Sequence, residues 1–224
     1  SASLEQTADR LEDESIGWGY IDQKIFAPKL FSLMNLRSEI IKRPLITTLE
    51  VLANPLISKK NHFVTGFVHK PYPPIYLMLA RNAGFDSSIV IRGTEGGVVP
   101  SLRQKSIFYF YRSPDDEDES FEIDPINELD IKQDARAVPF PASISKEDKN
   151  DKIETKVDPS EVAKESLKQG MDALGGKPGI MRDCIAYCSA AISSHVSGND
   201  VKTCYKEITR ILDSGSALSR FKKI

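Results

Sequence analysis

Along this chain of 224 residues the pattern of apolar and polar positions is most informative between residues 62 and 99. HFVTGFVH, residues 62–69, is rich in Val and Phe and predicts a buried strand. Pro71, Pro73 and Pro74 break that strand and open a helix, because an amide missing from a helix's first turn would have had no partner there. Apolar positions from Ile75 to Ala80 continue the helix, and the Gly84-Phe85 pair ends it. SSIVIRG, residues 87–93, reads as a second, β-branched strand. Strand, helix, strand predicts a right-handed crossover joining a parallel pair. Ligands on open α/β sheets bind outside the strand ends, so the turn Arg92-Gly93-Thr94-Glu95-Gly96-Gly97 is the first candidate site.

The same reading places the other elements. Residues 2–14 set Leu4, Ala8 and Leu11 at helical spacing among charges, and Gly17 and Gly19 stop that helix. Residues 20–27, YIDQKIFA, read as a short strand. Pro28 opens a helix on which Leu30, Leu33, Met34, Arg37 and Ile41 share a face, and LITTLEVLANPL, residues 45–56, reads as a second helix ended before Pro55. Residues 101–112 end in an aromatic strand whose Phe108, Tyr109 and Phe110 fit core and sheet face better than a base-stacking platform.

Residues 113–157 change character and read as an acidic and polar insertion. SPDDEDES is a solvated loop, since contiguous carboxylates lack the fixed convergence that a metal site needs. FEIDPINELDI carries a short strand, ARAVPFPA is extended, and SKEDKNDKIETKVD is polar and mobile. Asp158-Pro159 then caps the first of three helices that run to residue 212. The expected fold is α/β: one domain, a central mostly parallel sheet flanked by helices, and a helical C-terminal segment.

Composition narrows the function. Forty per cent hydrophobic and 28% charged residues suit a globular chain, and a net charge of −2 argues against a generally basic nucleic-acid binder. Local basic patches remain at Lys59-Lys60 and at RFKKI, residues 220–224. Three cysteines are too few for a disulfide framework, and Cys184 and Cys188, one helical turn apart, read as core thiols. No run is long and apolar enough to span a membrane, and no signal-peptide pattern is present. The expected compartment is cytoplasmic, or the plastid stroma if a transit peptide has been removed. The chain opens on SASLEQT without a methionine, which leads to the expectation of a processed end or a fragment.

Among candidate side chains, Arg37 is a cation among apolar neighbours. It either reaches solvent or pairs with Glu39 or Glu50, or it grips a carboxylate or phosphate with its planar fork. His195 lies near a helix end, where a cation is favoured, and reads as structural or surface. His62 and His69 flank a strand with no partner visible in sequence.

An ordered set of stretches resembles glycosyltransferase family 3, the family of anthranilate phosphoribosyltransferase. The set is FAP at 26–28, Arg37 and Glu39 with Arg43, LANP at 52–55, GFVHKPY at 66–72, IVIRGTEGG at 89–97, residues 166–191, and DSGSAL at 213–218. The resemblance implies transfer of phosphoribosyl from phosphoribosyl pyrophosphate (PRPP) to anthranilate, in tryptophan biosynthesis, with Mg2+. It implies substrate binding by Arg37, Arg92, Gly93 and Gly96, with Arg37 on the anthranilate, and Glu95 as a weak metal ligand. It also implies that the family's N-terminal helical domain, its glycine-rich pyrophosphate loops and a homodimer contact would lie before Ser1.

Two departures matter. Catalytic members carry an adjacent Asp-Glu pair after the RGTEGG turn, and here those positions read Val98 and Val99, which cannot ligate a cation. The family histidine that follows FAP is replaced near Phe31 and Ser32. The expectation is a phosphoribosyltransferase-like chain that is inactive in isolation. The alternatives are a non-catalytic nucleic-acid-binding protein on the same fold, as in a divergent branch of the family, or an interaction module.

Overall fold

The computed structural model describes residues 2–40, 45–139 and 159–223. Ile41, Arg43, the N-cap at Asp158 and the whole of the stretch read as mobile lie outside the described residues.

The centre is the expected unit. Strand β1 (His62–Gly66) and strand β2 (Ser87–Ile91) pair in parallel, joined by a helix over Tyr72–Asn82. That helix ends in a Schellman motif. Gly84 takes φ +84°, its amide donates to the Arg81 carbonyl at 3.0 Å, and the Phe85 amide donates to Ala80 at 3.1 Å.

All five residues of β2 are buried, because both faces of the sheet are covered. Val90 faces the crossover helix with Phe63, Leu77, Ala80 and Tyr111, whereas Ile89 and Ile91 face Phe108, Phe110, Tyr187 and Ala191 on the other side. The small residues of the helix Ile180–Ser197 let it lie close against that second face.

The sheet continues through β3 (Ser106–Tyr111) and β4 (Glu119–Ile123), each antiparallel to its neighbour, in the order β1-β2-β3-β4. The α/β class stands, with flanking helices and a helical C-terminal segment. The sheet is mixed, where a mostly parallel one was expected. No crossover helix connects β2 to β3, so β3 returns beside β2 in the opposite direction. The acidic run between β3 and β4 is mostly exposed and anchors Arg81, which pairs with Asp118 at 2.7 Å and lies 4.1 Å from the Tyr111 ring centre.

Among the described residues, five short helices come before the sheet in chain order: α1 (Leu4–Glu12), α2 (Gln23–Phe26), α3 (Pro28–Phe31), α4 (Met34–Ser38) and α5 (Ile46–Glu50). Helix α1 is the expected one, with a capping box between Ser3 and Gln6. The strand read at residues 20–27 is instead α2. The Asp22 carboxylate accepts the Lys24 amide at 2.9 Å and so starts a helix. The single helix read from Pro28 is broken between α3 and α4, where the Ser32 hydroxyl donates to the Lys29 carbonyl at 2.7 Å and competes with the helical ladder.

The crossover helix is α6, and after the sheet come α7 (Pro125–Leu129), α8 (Pro159–Leu174), α9 (Ile180–Ser197), α10 (Val201–Asp213) and α11 (Ser216–Phe221). Stacking of Trp18 on Phe221, 4.7 Å between ring centres, ties the start of the chain to its end.

Candidate functional site

The turn after β2 closes on itself. The Thr94 amide donates to Val99 at 2.8 Å and the Gly97 amide to Thr94 at 3.0 Å, while Gly93 bridges Pro100. A methyl group at Gly93 would sit 1.6 Å from the Gly97 carbonyl oxygen, and one at Gly66, the last residue of β1, 2.0 Å from the same atom. These glycines therefore serve the close approach of two backbones. Glu95 takes φ +53°, a left-handed conformation that is strained for a side-chain-bearing residue. Strain of that kind collects where a side chain must be held in a chosen direction.

Two clefts meet over the end of β1, sharing Phe67 and Val68. The polar one, about 240 Å³, sets Arg92, Thr94, Glu95, Gln104, Lys105 and Arg136 around one space. Three cations face one carboxylate there. The Thr94 Oγ1 is buried with no hydrogen-bond partner among the described residues, a state that a ligand would relieve. The aromatic cleft, about 400 Å³, is lined by Thr48, Phe67, His69, Tyr72, Tyr76 and Gly96.

The predicted residues divide. Arg92, Gly93 and Glu95 stand in the polar cleft and Gly96 in the aromatic one. Arg37 lines neither. Its guanidinium is ion-paired with Glu50, the side chains being 19% and 11% exposed. Alanine at either position is expected to cost about 1–2 kcal/mol, with about 1 kcal/mol of coupling in a double-mutant cycle. Denaturant unfolding of the four proteins measures it, and a coupling of zero would return Arg37 to the pool of available cations.

Lys105, Arg136 and the aromatic cleft were not singled out in sequence. Lys105 sits in a polar connector and Arg136 lies beyond β4; His69 and Tyr72 fall in the stretch 66–72 that carries the resemblance but were given no binding role, and Tyr76 sits in a run whose pattern signals only a helix.

Position 99 is partly buried against the core. Val99 packs against the buried cluster that includes Ile89 and Tyr187, and the carbonyl of exposed Val98 accepts the Cys188 thiol at 3.2 Å. Burial pushes the Cys184 and Cys188 thiols up to about 11, so both are inert thiols of the interior. The residues present do not fit a magnesium ion. Glu95 is the turn's one carboxylate and shares its cleft with three cations. No group of three or more His, Cys, Asp or Glu converges among the described residues. No described helix is long and apolar enough to cross a membrane.

Comparison with known proteins places this architecture. No family model matches the chain. The structure of anthranilate phosphoribosyltransferase from Saccharomyces cerevisiae in complex with 4-fluoroanthranilate superposes with a TM-score of 0.73 at 15% identity, covering 99% of this chain and 57% of that one. The same yeast enzyme in complex with PRPP and Mg gives 0.71 at 16% identity, and the Thermus thermophilus enzyme 0.64 at 16%. The chain thus has the α/β fold of a phosphoribosyltransferase of the anthranilate type. In sequence it is similar to anthranilate phosphoribosyltransferase of Aquifex aeolicus, 25% identical over 211 residues, 94% of this chain and 55% of that protein. An uncharacterised protein of the same organism is 41% identical over 81 residues, 36% of this chain and 26% of the other. The resemblance to glycosyltransferase family 3 stands, and the chain spans just over half the length of the anthranilate phosphoribosyltransferases it matches.

Proposed function

We propose that this chain is a divergent anthranilate phosphoribosyltransferase-like domain that binds a phosphorylated ribosyl ligand without a divalent cation. Alone, it performs no transfer. The observation that carries this reading is the polar cleft, which Arg92, Lys105 and Arg136 line with positive charge. Arg and Lys suit phosphate oxygens, the one as a planar fork and the other as a point charge. Thr94 Oγ1 supplies a hydroxyl already freed from water, and Glu95 can accept from ribose hydroxyls. The adjoining aromatic cleft suits a flat acceptor ring between Tyr72, Tyr76 and His69. The valines at 98 and 99 deprive a transfer step of its carboxylates.

Isothermal titration of PRPP into the chain, with magnesium and with chelator, tests this. Binding of equal strength in both, and no anthranilate-dependent consumption of PRPP, is the expected result. Strict magnesium dependence, or formation of phosphoribosyl anthranilate, would overturn it.

The same three cations support a second reading, non-catalytic binding of nucleic acid through its phosphodiesters. A labelled single-stranded oligonucleotide that binds with steep salt dependence and displaces PRPP would favour that reading over the first.

A further inference from the structure

A third cleft, of about 410 Å³, opens at the other end of the sheet, where β1 and β2 begin and β3 finishes. It is separated from the turn after β2 by the length of a five-residue strand, about 16 Å. Its floor is a chain of three side chains. His62 Nδ1 lies 2.6 Å from Ser87 Oγ, which lies 3.0 Å from His195 Nε2. The serine has one proton to give and two lone pairs, so at most one imidazole accepts from it and at least one donates to it.

His195 is 3% exposed, and its Nδ1 has no partner among the described residues. Arg112 lies over the Phe110 ring, 5.0 Å from its centre, and donates to the His195 carbonyl. Both contacts fix the guanidinium while leaving most of its five N–H groups for another acceptor. Lys60 stands on the rim, is exposed, and has no ion pair among the described residues. The cleft's one acid, Asp86, already accepts the Asn61 amide at 2.7 Å. The carbonyl end of α9, which would repel an anion, is covered by Arg112.

The geometry points to a second ligand site here: the cleft formed by Lys60, His62, Ser87, Arg112 and His195 binds a phosphate group, free or at the end of a small phosphorylated metabolite. Each feature serves that ligand. A fork, a point charge and an imidazole converge, a hydroxyl lies between them, and a buried ring nitrogen still lacks a hydrogen bond. The cleft lies at the opposite end of the strands from the turn cleft and shares no residue with it.

The chain holds three histidines, which makes the test direct. His62 and His195 belong to this cleft, while His69 lines the aromatic cleft at the far end. Ring 1H–15N spectra are recorded while inorganic phosphate, and separately ribose 5-phosphate, is added at constant ionic strength. Saturable shifts of His62 and His195 signals, with the Lys60→Ala and Arg112→Gln variants weakened tenfold or more, are expected. Response to both ligands identifies the phosphate group itself, and response to ribose 5-phosphate alone identifies the monoester. The assignment is overturned by no response to either, by equal shifts in matched chloride, or by an undiminished response in folded Lys60→Ala. PRPP binding at the turn is read separately, by titration into the Lys60→Ala variant, whose polar cleft is unaltered, so either site can fail without the other.

Discussion

Replacing Gly93 with alanine is expected to destabilise the protein by about 3 kcal/mol, at the upper end for inserting one methyl group into filled space. The added carbon would lie 1.6 Å from the Gly97 carbonyl oxygen and 2.5 Å from its carbon, and both are backbone atoms. No side-chain rotation relieves that contact, so the turn must open. Opening it breaks the Thr94 to Val99 hydrogen bond and lifts Val99 from the core. For a chain of this size the loss corresponds to a fall in melting temperature of roughly 6–12 °C. Gly97→Ala is the matched control. An added methyl there meets nothing nearer than the Thr94 carbonyl oxygen at 3.5 Å, an ordinary contact, so stability should change by no more than about 0.5 kcal/mol. Thermal melts of the two variants decide the matter. Equal melting temperatures would mean that the turn is not held closed as described, and the polar cleft built on it would lose its frame.

The unit from residue 62 to residue 93 was legible because every local signal agrees. A β-branched strand, prolines confined to a helix's first turn and a left-handed glycine at its end each specify the same element. Where signals conflicted, the sequence misled. Residues 20–27 read as a strand, yet Asp22 caps a helix and, among the described residues, no strand lies beside them to reward extension. The direction of β3 was not written in its own residues. Its aromatic and β-branched character fits a buried strand of either sense, and only the lack of a crossover helix decides it.

Sites follow the same division. Arg92 and Glu95 announce themselves by lying in a glycine-rich turn after a strand. Lys105 and Arg136 do not, because chain folding alone brings them beside it. His62 and His195 show the limit most plainly. Each lacks any partner in sequence, and they become neighbours because the parallel register sets His62 opposite Ser87 and α9 ends over both. Arg112, not the histidine, supplies the cation that the end of α9 favours.

That arrangement carries the second large expectation, a loss of stability in mild acid. Burial, with the Arg112 and His62 charges behind it, pushes the His195 imidazole down from 6.5 to about 4. In the unfolded chain the ring protonates normally. Between about pH 6.5 and pH 4 the unfolded state therefore binds more protons than the folded one, and stability falls as pH falls. The contribution is complete above pH 6.5, and the whole gap corresponds to about 3 kcal/mol. Carboxylates held low by their hydrogen bonds, Asp124 and Asp200 among them, lose their share only near and below their ordinary value of 3.8, which leaves the upper part of the window to His195. Urea unfolding at pH 7, 6 and 5 should show a declining midpoint in the natural chain. His195→Gln keeps a donor near the Nε2 position but cannot titrate, so its midpoints should stay level over that range whatever their absolute value. Parallel declines in both proteins would place the acid sensitivity elsewhere, and would mean that the imidazole between Ser87 and Phe110 is not kept neutral by its surroundings.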